Sequence, residues 1–566
     1  MFAGDLFLML RALPKISGFI KSPWTPKNDG WFSNSLPAVG DKIRNILRLI
    51  RRAFAKAIPL LLTVGASVLL AHGILNSSPT KMVVAVSALL FGFFFARRVE
   101  YGIVAVLIVA ASVIYPAAVP KPLTIGGQGL HFTELLITFL VVVVSIQSLA
   151  HKRLEIFSSP ITVPLLLLFM SVLISFIVKY HSYVVNHEGL FPWREVYNIA
   201  RPMFHYVLFF VVAFGLRSER QLRFVIVTLT IATMIVSLLM VAQYIVGPNV
   251  RLFFAPKWAE SSVRVESLSM DEQDVTRSLP PGLYAIPFVL ITTLVLACTE
   301  KKRARWFYGI ACIASGTGLL FSFTRNLWVL TCMAIISVWL LSKWDVRRRL
   351  SVFLAIIFCV IIFGSIGLLE VFGGKSAENF SKAIVNRFTS SFVGLKVNSS
   401  LQDRAKENAS AIRLIKSDPI LGVGLGTPLV YKQWTRPGRN TKVIFPWIEI
   451  HNSYLELWAV YGILGLVSFL WISVAFSIRC FIVFRRARDA FHRAIALGML
   501  SSQIIYMLTA TVAMTYLHHT SAICITAAMW GIIEVIWRLE KESSEKIAAE
   551  NSSLDVQTVP KLSASL

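Results

Sequence analysis

Residues 451–465 read HNSYLELWAVYGILG, and this stretch joins a long polar loop to an apolar helix. Ser453 and Glu456 form a capping-box pattern, which predicts that the helix begins at Ser453. His451 then lies just outside the helix N-terminus, where the positive end of the helix dipole disfavours a charged imidazole. A neutral imidazole at this place can act as a general base. The plainer alternative is that His451 and Asn452 only cap and anchor the helix.

The composition of the whole chain is typical of a membrane protein. Of its 566 residues, 56% are hydrophobic and only 15% are charged, and the mean hydropathy is +0.68. Soluble domains carry about 25% charged residues. The net charge of +26 does not indicate nucleic acid as a partner, because most Lys and Arg residues fall in short loops between apolar runs. The six cysteines have no paired spacing and are interpreted as small apolar residues.

Runs of roughly 20 mainly apolar residues, the length that a spanning helix needs, recur along the chain. They predict an all-α polytopic membrane protein with about 14 transmembrane helices, within a range of about 12–14. The loops between them alternate in charge, and the basic ones are 96–100, 151–155, 217–223, 300–305, 343–349 and 485–493. By the positive-inside rule, both termini are therefore expected in the cytoplasm, and membrane lipids are expected partners.

Five segments follow from this pattern. They are a cytoplasmic N-terminal extension with a basic amphipathic stretch (1–56), transmembrane helices 1–11 (57–369), a large external loop (370–450), transmembrane helices 12–14 (451–537) and a disordered cytoplasmic tail (538–566). The external loop is too long to lack structure, and its apolar spacing predicts a helix over 401–416. The glycine-rich run PILGVGLG (419–426) is interpreted as a tight turn against the membrane, because no strand precedes it as in a dinucleotide-binding loop.

Several arginines on the external face are candidates for binding phosphate, for which the planar guanidinium is suited. Arg325 lies between two apolar spans with almost no loop, and Arg404 begins the predicted loop helix. The plainer alternative for Arg325 is a side chain that snorkels to the lipid headgroups. For Arg404 it is a solvated surface helix with a local ion pair to Asp403. Arg264 and Arg277 are weaker candidates. No external acidic pair, Walker motif or zinc-type His/Cys cluster occurs, so neither a metal nor a cofactor is expected.

Three segments resemble the bacterial O-antigen ligase and O-antigen polymerase superfamily. SFTRNLW (322–328) is similar to its Ser/Thr-Arg segment between two spans, and RAKENASAIRLIKSDPILGVGLG (404–426) is similar to its Arg-helix-Pro-Gly-x-Gly segment. HNSYLELWAVYGILG fits its pattern of His-Asn, nine residues, Gly, two residues and Gly. The sequence departs from the family in two ways that bear on the subfamily. It has about 14 predicted spans where these ligases commonly have about 12, and it has a long N-terminal extension.

The resemblance implies a metal-independent, inverting glycosyltransferase of the bacterial inner membrane, with the loop 370–450 in the periplasm. Its donor would be an undecaprenyl-diphosphate-linked glycan, and its acceptor a glycan or lipid A-core hydroxyl. His451 would be the general base, supported by Asn452, and Arg325 and Arg404 would hold the diphosphate. The sequence does not separate a ligase from a repeat-unit polymerase, and protein glycosylation is a third variant. A flippase for lipid-linked glycans is the alternative of another class, disfavoured because mid-span charges are few and no inverted repeat is visible.

Overall fold

The computed structural model of the protein describes residues 92, 94–110, 123–125, 128–130, 132–150, 159–185, 193–247, 250, 252–253, 266–270, 273–372, 382, 384, 399–427, 429–436, 439–445, 450–512 and 515–557. All of them belong to one unit of the chain, Leu90–Leu566. The predicted extension 1–56 and the first predicted span, 57–75, lie outside the described residues.

The described part is a bundle of helices with three short antiparallel hairpins at its loops. The helices are α1 Val99–Ala110, α2 Phe132–Ala150, α3 Thr162–Val185, α4 Trp193–Phe204, α5 Leu208–Gly215, α6 Glu219–Val246, α7 Ala285–Thr299, α8 Lys302–Phe321, α9 Arg325–Leu341, α10 Trp344–Phe372, α11 Ser399–Ser417, α12 Ser453–Arg486, α13 Ala490–Thr509, α14 Thr515–His518 and α15 Thr520–Gln557. The hairpins are β1 Leu123–Ile125 with β2 Gln128–Leu130, β3 Glu266–Met270 with β4 Gln273–Arg277, and β5 Leu429–Arg436 with β6 Arg439–Phe445.

Two helices form the centre of the bundle. Among the described residues, six helices are long and apolar enough to cross a membrane, and three further apolar helices are shorter. The apolar stretches that contain α7 and α15 are 89% and 83% buried, whereas the other four long spans are 39–44% buried. The outer helices expose large apolar side chains such as Leu238, Ile336 and Phe363. Faces of this kind suit lipid, and the chain is a multi-pass, predominantly helical membrane protein.

One predicted span contains a tighter turn. The sequence predicts a single helix over 199–216, and the chain forms α4, a 3₁₀ turn at His205–Val207 and then α5, with helical backbone angles at the junctions. Pro202 lies inside α4 and has no N–H group to continue the helical hydrogen bonds. The turn that follows is therefore a local consequence of the sequence.

Among its described residues, the loop 370–450 contains the predicted helix and one hairpin that was not predicted. α11 covers the expected residues 401–416 and packs against α12. β5 and β6 then form a hairpin in register from Leu429 with Phe445, and β5 lies against α11. The β-branched and aromatic residues on both sides of Pro437-Gly438 are a hairpin signal that the sequence analysis did not use.

The C-terminal segment differs from its prediction. α15 continues to Gln557, so residues 538–557 are helical where a disordered tail was predicted. The side chains in this part carry alternating charges, including an ion pair between Lys541 and Glu545 one turn apart. Such pairs stabilise an exposed helix that is already nucleated by a buried span. Residues 558–566 lie outside the described part of the chain.

Candidate functional site

Asn452 caps the helix that carries the His-Asn motif. Its side-chain oxygen accepts hydrogen bonds from the backbone N–H groups of Tyr454 and Leu455, at 3.1 Å and 3.2 Å. The predicted capping box of Ser453 and Glu456 is therefore wrong. With Asn452 as the cap, Glu456 is the fourth helical residue and lies one position too far along to complete a box. Ser453 is instead buried and donates its N–H to Ala510 at the end of α13.

His451 is held by a carboxylate from another helix. Glu407 Oε2 lies 2.9 Å from His451 Nδ1 and accepts the backbone N–H of the same residue at 3.1 Å. Glu407 is 5% exposed, while the side chain of His451 keeps 37% of its surface exposed. A carboxylate that accepts Nδ1–H sets the imidazole tautomer in which Nε2 carries the lone pair. Sequence reasoning missed Glu407, although it follows Arg404 by one helical turn.

The side chains of Arg404 and Arg325 lie near each other. Burial lowers the pKa of Arg404, Glu407 counteracts this shift, and the charge of Arg325 lowers the pKa further. The two guanidinium groups are thus close enough to repel each other, with Glu407 as the nearby anion. A pair of half-buried cations suits an anionic ligand that accepts several hydrogen bonds. Arg325 is also the first residue of α9, where the helix dipole favours negative charge.

The turn that places Arg325 is strained. Only residues 322–324 separate α8 from α9, which confirms the predicted near-absence of a loop. Phe323 has φ 48°, in the left-handed region of backbone conformation that residues other than glycine rarely adopt. Its ring is 1% exposed and packs beside Tyr244 and Trp328, with ring centroids 6.0 Å and 6.2 Å away. Buried packing holds this conformation and so fixes where α9 begins.

The glycine-rich turn docks into a break in α12. Gly462 interrupts the helix with φ 69° and ψ −173°, and the N–H of Ile463 donates to Ile420 across the break. The N–H of Val423 donates to Ala459 at 2.8 Å. Gly422 has φ 75°, and an added Cβ there would lie 2.7 Å from the Gly462 nitrogen. The interpretation of PILGVGLG as a tight turn fits this packing, which holds α11, and with it Glu407, against the start of α12.

Replacing Gly462 by alanine is expected to destabilise the protein. The backbone conformation alone costs about 1–3 kcal/mol for a residue with a side chain, and a Cβ would lie 2.2 Å from the Ile420 carbonyl oxygen. Gly364→Ala is the matched control, because that glycine is in α10 with no atom within 4 Å of an added Cβ. The measurement is the midpoint of thermal unfolding in detergent by tryptophan fluorescence. An equal midpoint for both variants would contradict the docking role of Gly462.

A second histidine–carboxylate pair lies close by. His518 Nε2 and Glu456 Oε1 are 2.5 Å apart, and Glu456 is 1% exposed on the first turns of α12. His519 packs against Tyr284 with ring centroids 4.9 Å apart. Removal from bulk water, together with the charges of His518 and His451, lowers the pKa of His519 to about 4. The three histidines therefore meet at one end of the bundle. In the sequence, His518 and His519 form a His-His pair at the start of a predicted span, and sequence reasoning missed this signal.

The two weaker arginine candidates are not placed in this site. Arg264 lies outside the described residues. For Arg277 the structure describes the backbone, which ends β4 opposite Glu266. Their predicted contribution to diphosphate binding stays a prediction.

Among the described residues, a group able to hold a metal ion is formed by Glu219, Asp489 and His492. Arg223 pairs with both carboxylates there, at 2.6 Å and 3.5 Å, and supplies the positive charge. His492 lies in the first turn of α13, whereas Ser453 bonds to the other end of that helix. At 1.5 Å per residue the two ends are about 30 Å apart, so this group is remote from His451.

A cavity of about 730 Å³ is also distant from the histidines. It lies along the second half of α15, and its lining includes Arg217, Glu534, Arg538 and Lys546. Because Glu534 follows His519 by 15 residues on a continuous helix, the separation is about 22 Å.

The comparison with known families matches the segment that carries the His451–Glu407 pair and the two arginines. A family model described as O-antigen ligase matches residues 310–470. This range contains α9, α10, α11 and the first half of α12, and with them Arg325, Arg404, Glu407 and His451. The second pair is split by its boundary, since Glu456 lies inside the range and His518 outside. No curated protein matches the chain. Residues 310–470 are therefore similar to the O-antigen ligase family, as the motifs within them predict.

Proposed function

We propose that the protein transfers a glycan from an undecaprenyl-diphosphate carrier to an acceptor hydroxyl at the periplasmic face of the inner membrane. The observation that carries this proposal is the His451–Glu407 pair beside two arginines at one end of an apolar bundle. A base and a cationic anion site are the two elements that such a transfer needs. The match of residues 310–470 to an O-antigen ligase family model supports the same chemistry.

His451 is the general base of the proposed reaction. Glu407 accepts its Nδ1–H, so Nε2 takes the proton of the acceptor hydroxyl as the hydroxyl oxygen attacks the anomeric carbon. The new glycosidic C–O bond forms as the bond from the anomeric carbon to the carrier phosphate breaks. Direct displacement of this kind inverts the anomeric configuration. The developing imidazolium is stabilised by the buried carboxylate.

Arg325 and Arg404 bind the diphosphate of the carrier. Negative charge increases on this group as it leaves, and guanidinium donors held in place stabilise that charge without rearrangement. Their shared position next to Glu407 puts the leaving group close to the base. The exposed apolar faces of the outer helices leave the polyprenyl chain in contact with lipid.

The acceptor is a sugar hydroxyl, on a lipid A core for a ligase or on another repeat unit for a polymerase. A ligase and a polymerase use the same donor chemistry, so an assay of donor consumption does not distinguish them. The surface glycan of a deletion strain does. A missing ligase leaves long glycan unattached, whereas a missing polymerase leaves single repeat units attached.

The direct test is transfer by purified protein in nanodiscs from an undecaprenyl-diphosphate-linked oligosaccharide. Product is followed by gel mobility and mass spectrometry, and the anomeric configuration by NMR. We expect a new glycosidic bond of inverted configuration. Failure of a folded protein to consume the donor with either acceptor class would overturn the proposal.

Turnover is expected to survive excess EDTA. Arginines supply the positive charge that a divalent ion would otherwise bring to the diphosphate. The control is a metal-dependent glycosyltransferase assayed in the same nanodiscs, which EDTA should inactivate. Loss of turnover that Mg²⁺ or Mn²⁺ restores would show that a metal takes part, with Asp403, Asp418 and Glu449 the first carboxylates to replace.

A further inference from the structure

His492 combines a buried ring with an unused ring nitrogen. It lies in the first turn of α13, and its side chain keeps only 5% of its surface exposed. Nδ1 lies 2.7 Å from Oε1 of Glu540 on α15. Within the part of the chain that the structure describes, the buried Nε2 has no hydrogen-bond partner. A buried nitrogen without a partner costs free energy, and a bound ion is one of the groups that removes this cost.

Two carboxylates lie within reach of this ring. The ligand atoms of His492, Glu219 and Asp489 all lie within 4.8 Å of one another. Zn²⁺ binds imidazole nitrogen and carboxylate oxygen at about 2.0–2.2 Å, which places tetrahedral ligand atoms roughly 3.5 Å apart. Small side-chain rotations therefore bring the three residues onto one ion. The Glu219 side chain is 45% exposed, so it has space for such a rotation.

Glu540 gives the ring the tautomer that a metal ligand needs. Its Oε1 accepts Nδ1–H of His492, so Nε2 carries the lone pair. The same carboxylate accepts the backbone N–H groups of Arg488 and Asp489, at 3.0 Å and 3.3 Å, and is held in place by them. Histidines that bind metals almost always donate their other ring N–H to a carboxylate, a carbonyl or water. Glu540 and His492 therefore have the geometry of a metal ligand with its outer partner.

The local balance of charge also favours a further cation. Arg223 lies against three carboxylates, Glu219 at 2.6 Å, Asp489 at 3.5 Å and Glu300 at 3.9 Å. One guanidinium group thus faces three negative charges. Its contacts with Glu219 both go to Oε1, so Arg223 and an ion can bind this carboxylate at the same time. Carboxylates that bind metals are commonly hydrogen-bonded in this way.

We propose that His492, Glu219 and Asp489 bind one transition-metal ion of the Zn²⁺ class, with Glu540 as the positioning residue for His492. An imidazole ligand selects Zn²⁺ and similar ions over Mg²⁺ and Ca²⁺, which prefer oxygen ligands. The ion joins the first turn of α6 to the first turn of α13. Because it lies about 30 Å from His451, it stabilises the fold and takes no part in the proposed transfer. The inference does not depend on the proposed function.

The test is metal binding by tag-free protein in nanodiscs, stripped with EDTA and then titrated with Co²⁺, with Zn²⁺ as the competitor. We expect one Co²⁺ per chain, with the visible absorption of nitrogen and oxygen ligands, and its release when Zn²⁺ is added. Loss of an outer partner weakens metal binding by about 10–100-fold, which is the result expected for Glu540→Gln. His492→Gln and Glu219→Gln remove direct ligands and should each weaken binding by more than about 100-fold. Zn²⁺ should raise the midpoint of thermal unfolding of the wild type but not of His492→Gln.

Glu545→Gln is the matched control for Glu219→Gln. Each glutamate belongs to an exposed ion pair one helical turn long, and Glu545 pairs with Lys541. The control should bind Co²⁺ as the wild type does. Glu219→Gln changes a partly exposed side chain, so it decides the test if the buried His492→Gln does not fold. The site is overturned by folded wild-type protein that binds no Co²⁺, by equal affinity in wild type and Glu219→Gln, or by a thiolate charge-transfer band that assigns the ion to a cysteine.

Discussion

Replacing His451 by alanine is expected to abolish glycan transfer while the protein remains folded in the membrane. A positioned general base contributes about 10²–10⁴-fold to the rate, and His451 is the histidine whose Nδ1 bonds to Glu407. The side chain is partly exposed, so its removal leaves little buried space. The measurement is product formation by gel, normalised to protein level by immunoblot. Product at the wild-type level would remove His451 as the base.

Two companion variants separate catalysis from helix capping. Glu407→Gln keeps an oxygen for Nδ1–H but loses the negative charge, so we expect a rate lower by about 10–100-fold, as for other carboxylates that orient a histidine. Asn452→Ala removes the two capping hydrogen bonds and should cost about 1 kcal/mol of stability, with a rate within a few fold of wild type. A large rate loss in Asn452→Ala with wild-type activity in Glu407→Gln would reverse these assignments.

Replacing Arg325 by lysine is expected to remove most activity although the charge is retained. Lysine offers a single ammonium group and cannot form the paired, planar contact that arginine makes with a phosphate. The same loss is expected for Arg404→Lys. Loss of one preorganised donor at a developing negative charge costs about 10²–10³-fold in rate. Turnover is measured at several concentrations of the lipid-diphosphate donor, so that binding and rate are separated.

Arg413→Lys is the matched control for both arginine variants. Arg413 lies on α11 as Arg404 does, but it is exposed and bonds to Ser410 one turn away. Its replacement should leave turnover unchanged. Full activity in Arg325→Lys and Arg404→Lys would show that a general positive field is sufficient, or that Arg325 only reaches for lipid headgroups.

Local sequence signals determined the elements that carry the site. The apolar runs predicted the long helices because burial of a backbone in lipid requires its hydrogen bonds to be made within the segment. Asn452 before an apolar helix, the helix after Ser399 and the near-absence of a loop before Arg325 depend on residues within about one turn of one another. These features were therefore within reach of the sequence, and so was the family resemblance of residues 310–470.

Only the tertiary structure decided which side chains meet. Glu407 and His451 are 44 residues apart, and Glu456 and His518 are 62 apart. Ser453 with Glu456 satisfies a local capping pattern, yet His518 takes the buried carboxylate of Glu456. The glycine-rich turn and the break at Gly462 look like separate punctuation in the sequence, but they fit together because neither tolerates a Cβ at the contact. Pairings of this kind depend on how whole helices pack, since a buried carboxylate is stable only beside the partner that packing brings to it.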